Sequence, residues 1–264
     1  MHAMKKYPRT PHIQGSRLQP GDEDLAQVPF EAIRGRPLVV EEKIDGANCG
    51  ISFDEAGRLL LQSRGHYLTG GPRERHFHQL KTWAATHQEG LYLALEDRYV
   101  LYGEWMYARH TVFYDALPHY FMEFDILDRR TGEFLDTPSR RALLDGLPIA
   151  PVPVVHEGPL SRPGELPALI RHSLYKTPDW RVSLDRVIAE HGLDRELSVR
   201  ETDPSDLAEG LYIKHEEGGR VVGRYKFIRP SFLSALLASG SHWLERPILP
   251  NQLAPGVDLY GGAL

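Results

Sequence analysis

Bulky and polar side chains alternate along much of this chain, and a period of two predicts short strands. Residues Leu38–Lys43 start apolar and turn polar. The same reading marks strands over 49–53, Leu59–Ser63, Tyr99–Trp105 and 120–127, with Asp54-Glu55-Ala56-Gly57 as a hairpin turn. Ile44-Asp45-Gly46-Ala47-Asn48 reads as a turn, because Asp, Gly and Asn tolerate unusual backbone angles. Residues 149–155 are strand-like but interrupted by prolines, which marks an edge or irregular strand. Residues 209–214 and 220–227 read as two strands joined by a turn at 216–219.

Helical spacing replaces the alternation elsewhere. Phe77, Leu80, Trp83 and Ala84 predict a helix over 76–91, and residues 139–146 predict a short one. Two helical patterns, around 166–170 and 184–191, lie in a stretch bounded by prolines and Gly192. Residues 231–239, with Leu233, Leu236 and Leu237 on one face, predict a last helix. Residues 1–36 form an irregular, proline-bearing N-terminal segment, and the tail from Pro247 is rich in Pro and Gly. Strands that come as hairpins predict an antiparallel α+β domain over 37–232, with an insertion at about 160–200. A short C-terminal helix and tail would fill 233–264.

Composition narrows the class. The chain has 264 residues, 41% apolar and 25% charged, which supports a packed core and excludes wholesale disorder. A formal net charge of -5 argues against a protein that coats polyanions, yet leaves room for a local basic groove. Cys49 is the single cysteine, so no internal disulfide and no cysteine-rich zinc site can form. The N-terminus carries charge without an apolar run behind it, and no long apolar run follows anywhere. A soluble cytoplasmic protein without a membrane partner is the expectation. Positive charge is mostly arginine. The lysines are Lys5, Lys6, Lys43, Lys81, Lys176, Lys214 and Lys226. Lysine can act as a nucleophile when it loses its proton, whereas arginine stays protonated.

The Walker lysine loop, the dinucleotide glycine fingerprint and the His-Glu-x-x-His zinc helix are absent. A dispersed set of short elements remains, mostly at strand ends. In order they are Lys43-Ile44-Asp45-Gly46, Ser63-Arg64-Gly65, Tyr102-Gly103-Glu104, Phe124-Asp125-Ile126, the Glu209-Gly210 element ending at Lys214, and Arg224-Tyr225-Lys226. Each has a plainer reading alone: Lys43 a surface lysine at a hairpin, Glu104 and Glu209 solvated strand-end charges, Phe124 core, Arg64 a surface charge. His76-Phe77-His78, near His66 and His87, lacks an acidic partner and reads against a metal site. Arg73-Glu74-Arg75 reads as an ordinary charged loop.

Taken in order, the six elements resemble the covalent nucleotidyltransferases, which comprise ATP-dependent RNA ligases, DNA ligases and messenger-RNA capping enzymes. The resemblance spans roughly 37–230. Asn48, the Ser-Arg-Gly element and the Phe-Asp-Ile element look most like the T4 RNA ligase 2-like branch. The resemblance implies an antiparallel adenylation domain that uses ATP, bound as AMP, with Mg²⁺ or Mn²⁺, and acts on nicked or broken RNA ends. Lys43 would attack the α-phosphate. Lys226 and Arg224 would neutralise phosphate charge, and Lys214 would help bind the nucleotide. Positive charge from Lys214, Arg224, Lys226 or a metal, or desolvation, would lower the pKa of Lys43. Asp45 would help bind the nucleotide, and Asn48 would sit near the phosphates or the acceptor end. Arg64 would contact phosphate or ribose, Glu104 the ribose hydroxyls, Phe124 the adenine face and Glu209 the metal.

This chain departs from the pattern in two ways. Arg224 stands where such ligases usually carry lysine, and Arg229 is an alternative for that position. About 34 residues follow Pro230, too few for an appended OB-fold. The insertion is therefore expected to contribute substrate contacts or dock a partner, such as an end-healing kinase-phosphatase. Two other readings stay open: a DNA ligase or capping-type guanylyltransferase, and a non-catalytic subunit that binds nucleotide or RNA ends.

Overall fold

The computed structural model describes residues 4–18, 22, 27–232 and 246–261. A mostly antiparallel sheet of ten strands dominates it. The strands are β1 (Leu38–Lys43), β2 (Ala47–Phe53), β3 (Leu59–Ser63), β4 (Tyr99–Trp105), β5 (Phe121–Asp128), β6 (Phe134–Leu135), β7 (Ala150–Pro151), β8 (Val154–Glu157), β9 (Gly210–Glu217) and β10 (Arg220–Ile228). Their order is β3-β2-β4-β5-β6-β10-β9-β1-β8, with β7 parallel beside β5. The helices are α1 (His78–Thr86), α2 (Gln88–Leu95), α3 (Thr137–Leu143), α4 (Glu165–Leu169), α5 (Trp180–Glu190) and α6 (Arg195–Arg200).

The turn after Lys43 does not close a hairpin. β1 pairs with β9 and β8, whereas β2 pairs with β3 and β4. In a flat sheet, the six strand steps between β1 and β2 would separate them by about 29 Å. The three residues between them reach only about 14 Å. The sheet must therefore curl, so that the β2-β4-β5 half faces the β10-β9-β1 half. Contacts across the gap bear this out: Lys214 on β9 donates to the carbonyl of Phe124 on β5, and the rings of Phe124 and Tyr212 lie 6.2 Å apart. A pocket opens between the halves.

The proline-interrupted 149–155 stretch becomes two short strands, β7 and the edge strand β8, as a chain lacking N–H donors there must. The helix expected over 76–91 is a 3₁₀ turn (Pro72–Phe77) followed by α1 and α2, with a break at His87. Thr82 and Thr86 donate to carbonyls four residues back, a bond that competes with the helix ladder before the break. α6 and β6 carry too little periodicity to be read from sequence. The helix expected over 231–239 falls mostly outside the described residues. No described helix is long and apolar enough to cross a membrane.

Three apolar clusters hold the fold. The largest lies under the β2-β4-β5 half around Trp83, Trp105, Tyr114 and Phe121. A second packs Ile13, Phe30 and Ile33 from the N-terminal segment against Leu38, Val40 and Ile213. Among its described residues that segment is irregular apart from a 3₁₀ turn at Phe30–Ala32, but it is part of the core. The third joins α5 of the insertion, through Trp180, Leu184, Val187 and Ile188, to Phe113 and Leu249. Cys49 is fully buried, and burial pushes its thiol pKa well up.

Candidate active site

Lys43 ends β1, and its Nζ lies 2.7 Å from Oε1 of Glu209, the residue just before β9. The register sets this pair, because Lys43 lies opposite Gly210. Two glycines let the strands approach. A Cβ on Gly210 would lie 2.1 Å from the carbonyl oxygen of Phe227, and one on Gly46 would lie 2.6 Å from Sδ of Met106. The glycine of the Glu-Gly element is thus a steric requirement, whereas a Cβ at Gly46 would have to displace the Met106 side chain. Asp45 faces away from the pocket. Its Oδ2 accepts the backbone N–H groups of Thr111 and Val112 at 2.7 and 2.8 Å, which locks the turn carrying Lys43.

Burial alone would lower the Lys43 pKa, but the carboxylates of Glu209, Glu104 and Asp45 outweigh it and raise the value. The ligand-free site thus holds an ammonium. Glu104 on β4 lies opposite Asn48 on β2, and both face the pocket. Burial, with Glu209 and Asp45 nearby, pushes the Glu104 carboxyl up to about 8. Its Oε2 is buried without a hydrogen-bond partner. That orphaned acceptor suits a ligand hydroxyl. Arg64, exposed just past β3, also borders the pocket.

Phe124 forms part of the wall, and its backbone carbonyl accepts from both Arg140 and Lys214. Below it lies a buried ionic network. Arg140 bridges Glu41 and Glu123 at 2.8 Å each, and Lys214 pairs with Glu41 at 2.9 Å and Asp125 at 3.2 Å. Arg224 comes within 3.8 Å of Asp125 and lies over the rings of Phe134 and Tyr7. Three carboxylates thus meet three cations, which meets the requirement that buried charges be paired. Lys214 and Arg224 are engaged beneath the pocket rather than on its wall.

Lys226 does line the pocket, two residues along β10 from Arg224. Burial lowers its pKa, and the nearby charge of Lys43 adds to the effect. The structure therefore gathers Lys43, Asn48, Arg64, Glu104, Phe124 and Lys226 around one cavity of about 130 Å³, with Glu209 on Lys43. Asp45, Lys214 and Arg224 stand behind that wall. The sequence reading missed Tyr7, Thr10, Glu41 and Tyr212, which also line it. Tyr212 and Glu41 were within reach, as inward positions on strands already marked. Tyr7 and Thr10 belong to an irregular segment with no pattern to flag them. Among the described residues, no group of three or more His, Cys, Asp or Glu side chains is arranged to hold a metal ion.

Comparison with known proteins agrees with this fold. A family model described as RNA ligase matches residues 36–228, nearly three quarters of the chain. A search of curated proteins found no match. Similar solved structures include Naegleria gruberi RNA ligase mutants. One, with AMP and Mn, has a TM-score of 0.55 at 17% identity and covers 88% of this chain and 57% of that one. Another, an apo form, has a TM-score of 0.56 at 16% identity and covers 89% and 58%. The same ligase with pyrophosphate gives 0.54 at 18% identity, covering 88% and 57%. The chain thus spans less than three fifths of the length of these ligases, and the likeness is one of fold.

Proposed function

The chain belongs to the RNA ligase family, and from that premise we propose that it is an ATP-dependent RNA ligase working through a lysyl-AMP on Lys43. The carrying observation is the placement of Lys43, set against Glu209 at the edge of a pocket that also presents Glu104, Phe124 and Lys226. In the first step Nζ attacks the α-phosphorus of ATP. An N–P bond forms, the bond to pyrophosphate breaks, and the amine gives up its proton. AMP then passes to an RNA 5′-phosphate, and a 3′-hydroxyl displaces it to close the strand.

The residues divide this work by chemistry. Phe124 offers an aromatic face to adenine. The orphaned Oε2 of Glu104 accepts a ribose hydroxyl. Lys226 and Arg64 meet phosphate oxygens, where charge must be neutralised during transfer. Asn48 sits beside Glu104, toward the phosphates or the acceptor end. Asp45 fixes the turn from behind, and Lys214 and Arg224 hold the floor under Phe124. Lys43 can shed its proton only when its ion pair with Glu209 is released, because that pair stabilises the ammonium.

The hard oxygen donors of Glu209 fit Mg²⁺ or Mn²⁺, which binds through one or two carboxylates and completes its shell with phosphate and water. The ion would supply charge neutralisation at the phosphates. The termini required also imply that an end-healing kinase-phosphatase acts beforehand.

The test is sealing of a nicked duplex with a 5′-phosphate and a 3′-hydroxyl. We expect ATP, not GTP, to support joining when the 3′ strand is RNA. Guanylylation by GTP without sealing would instead make it a capping-type transferase, and sealing of DNA nicks alone a DNA ligase. Nucleotide binding without either reaction would leave a non-catalytic end-binding subunit.

A further inference from the structure

Lys226 is gripped by residues that lie outside the region the family model matches. Its backbone N–H donates to the carbonyl of Pro11, and its own carbonyl accepts from Ile13 N–H, both at 3.0 Å. His12 thus lies alongside Lys226 on β10. The side chain is held as well, because Nζ donates to Asp22. Asp22 is buried, but it is not among the residues that line the pocket.

Asp22 is itself fixed. Arg9 donates to it at 3.0 Å, and Nε2 of His12 lies 3.2 Å away. Nδ1 of His12 lies 2.7 Å from Oγ of Ser16, which accepts the backbone N–H of Ile228 at 2.9 Å. The chain of contacts therefore leaves β10 at Lys226 and returns to it two residues later. Burial raises the Asp22 pKa, but its bonds from Lys226, Arg9 and His12 outweigh that and hold it at about 2. It is a carboxylate at any working pH.

We propose that Asp22 is a positioning residue for Lys226, so that the N-terminal segment is a working part of the adenylylation site. The inference rests on the functional reading above. A lysine ammonium on a flexible four-carbon stem has three donors and no preferred direction. One donor spent on a fixed carboxylate behind it leaves the others aimed into the pocket. That is how supporting groups orient side chains that meet a ligand. A displacement of about 1 Å at such a site can cost roughly 100-fold in rate.

The experiment uses the full chain as wild type, Asp22→Asn, Asp22→Glu, Lys226→Met and the Asp22→Asn/Lys226→Met double variant. Melting temperature checks folding, transfer of label from α-labelled ATP gives the rate, and titration gives the ATP dissociation constant. We expect Asp22→Asn to slow transfer by about 10- to 100-fold, and Asp22→Glu to restore much of the loss. On the ATP dissociation constant, Asp22→Asn should have a clear effect alone and less than about a twofold effect once Lys226 is Met. Equal behaviour of Asp22→Asn and wild type would overturn the proposal. So would an undiminished effect in the Lys226→Met background, which would mark Asp22 as merely structural. If instead the wild type binds ATP and the coupling holds but no label is transferred, the ligase reading fails while Asp22 still orients Lys226. A wild type that neither binds nor reacts with ATP overturns both.

Discussion

Lys43 and Glu104 sit in an electrostatic arrangement that can be read in solution. Glu209, Glu104 and Asp45 hold Lys43 as an ammonium, so the adenylylation rate should climb with pH through neutrality into the alkaline range. Glu209→Gln should lower the maximal rate and move the rise to lower pH, because the largest stabiliser of the ammonium is gone. A pH-rate profile with its rise unmoved would contradict this. Glu104 gives a second, independent signal. Its folded carboxyl is pushed to about 8, above its ordinary value of 4.5. The folded state therefore binds the extra proton, and stability is full below the ordinary value and falls as pH rises through about 8. Glu104→Gln should raise the melting temperature of the ligand-free protein at pH 9 and change it little at pH 4. Equal shifts at both pH values would refute the assignment. At this scale the sequence was most legible where a residue sits inside an ordered motif. Lys43, Glu104 and Glu209 were marked that way and do come together. Asp22, Tyr7 and Thr10 were invisible, because the partners that tie them to the site, Lys226, Asp125 and Tyr212, are far off in sequence and their own segment has no periodicity.

Strands were the easiest elements to read, since period-two alternation survives wherever one face of a sheet is buried. β1, β3 and β4 match the expected bounds, and β2, β5, β9 and β10 differ from them by a residue or a few. What the pattern could not carry was pairing. Residues on either side of Ile44-Asp45-Gly46 look like the arms of a hairpin, yet the arms belong to opposite halves of the sheet. Pairing is decided by contacts distant in sequence, which local alternation does not encode. The close approach of β9 to β10 makes a testable case. A Cβ on Gly210 meets a backbone oxygen that cannot turn aside. Gly210→Ala should therefore cost about 1–3 kcal/mol, seen as a lower denaturant midpoint. Adenylylation should fall with it, because Glu209 is the adjacent residue. A neutral effect on both would mean that the strands can part at no cost.

Across the whole molecule, the insertion and the residues that follow it to Asp203 work as a brace. Ser173 donates to Glu42 at 2.5 Å, next to Lys43. Asp203 N–H donates to the carbonyl of Thr111 at 2.7 Å, and Arg109 pairs with Glu201. Those contacts support the loop that grips Asp45. The expectation from sequence was a segment for substrate or partner contacts, since length without a motif says nothing about packing. Trp180, which opens α5 and is buried in the cluster with Phe113, should be the sensitive point. Trp180→Ala should destabilise the chain by about 3–5 kcal/mol and slow adenylylation, and a loss of RNA binding alone would argue for a substrate role instead. Fold class was legible because hairpin-like strands and few helices admit few architectures. The curl that forms the pocket was not, because it follows from strand order.

The most direct measurement is incubation with α-labelled ATP and Mg²⁺, then denaturing electrophoresis and peptide mapping, on wild type and Lys43→Ala. Wild-type protein should carry acid-labile label on the peptide containing Lys43, and the variant should carry none. Label that persists in Lys43→Ala, or its absence from wild type shown by intact mass not to be already adenylylated, would contradict the account.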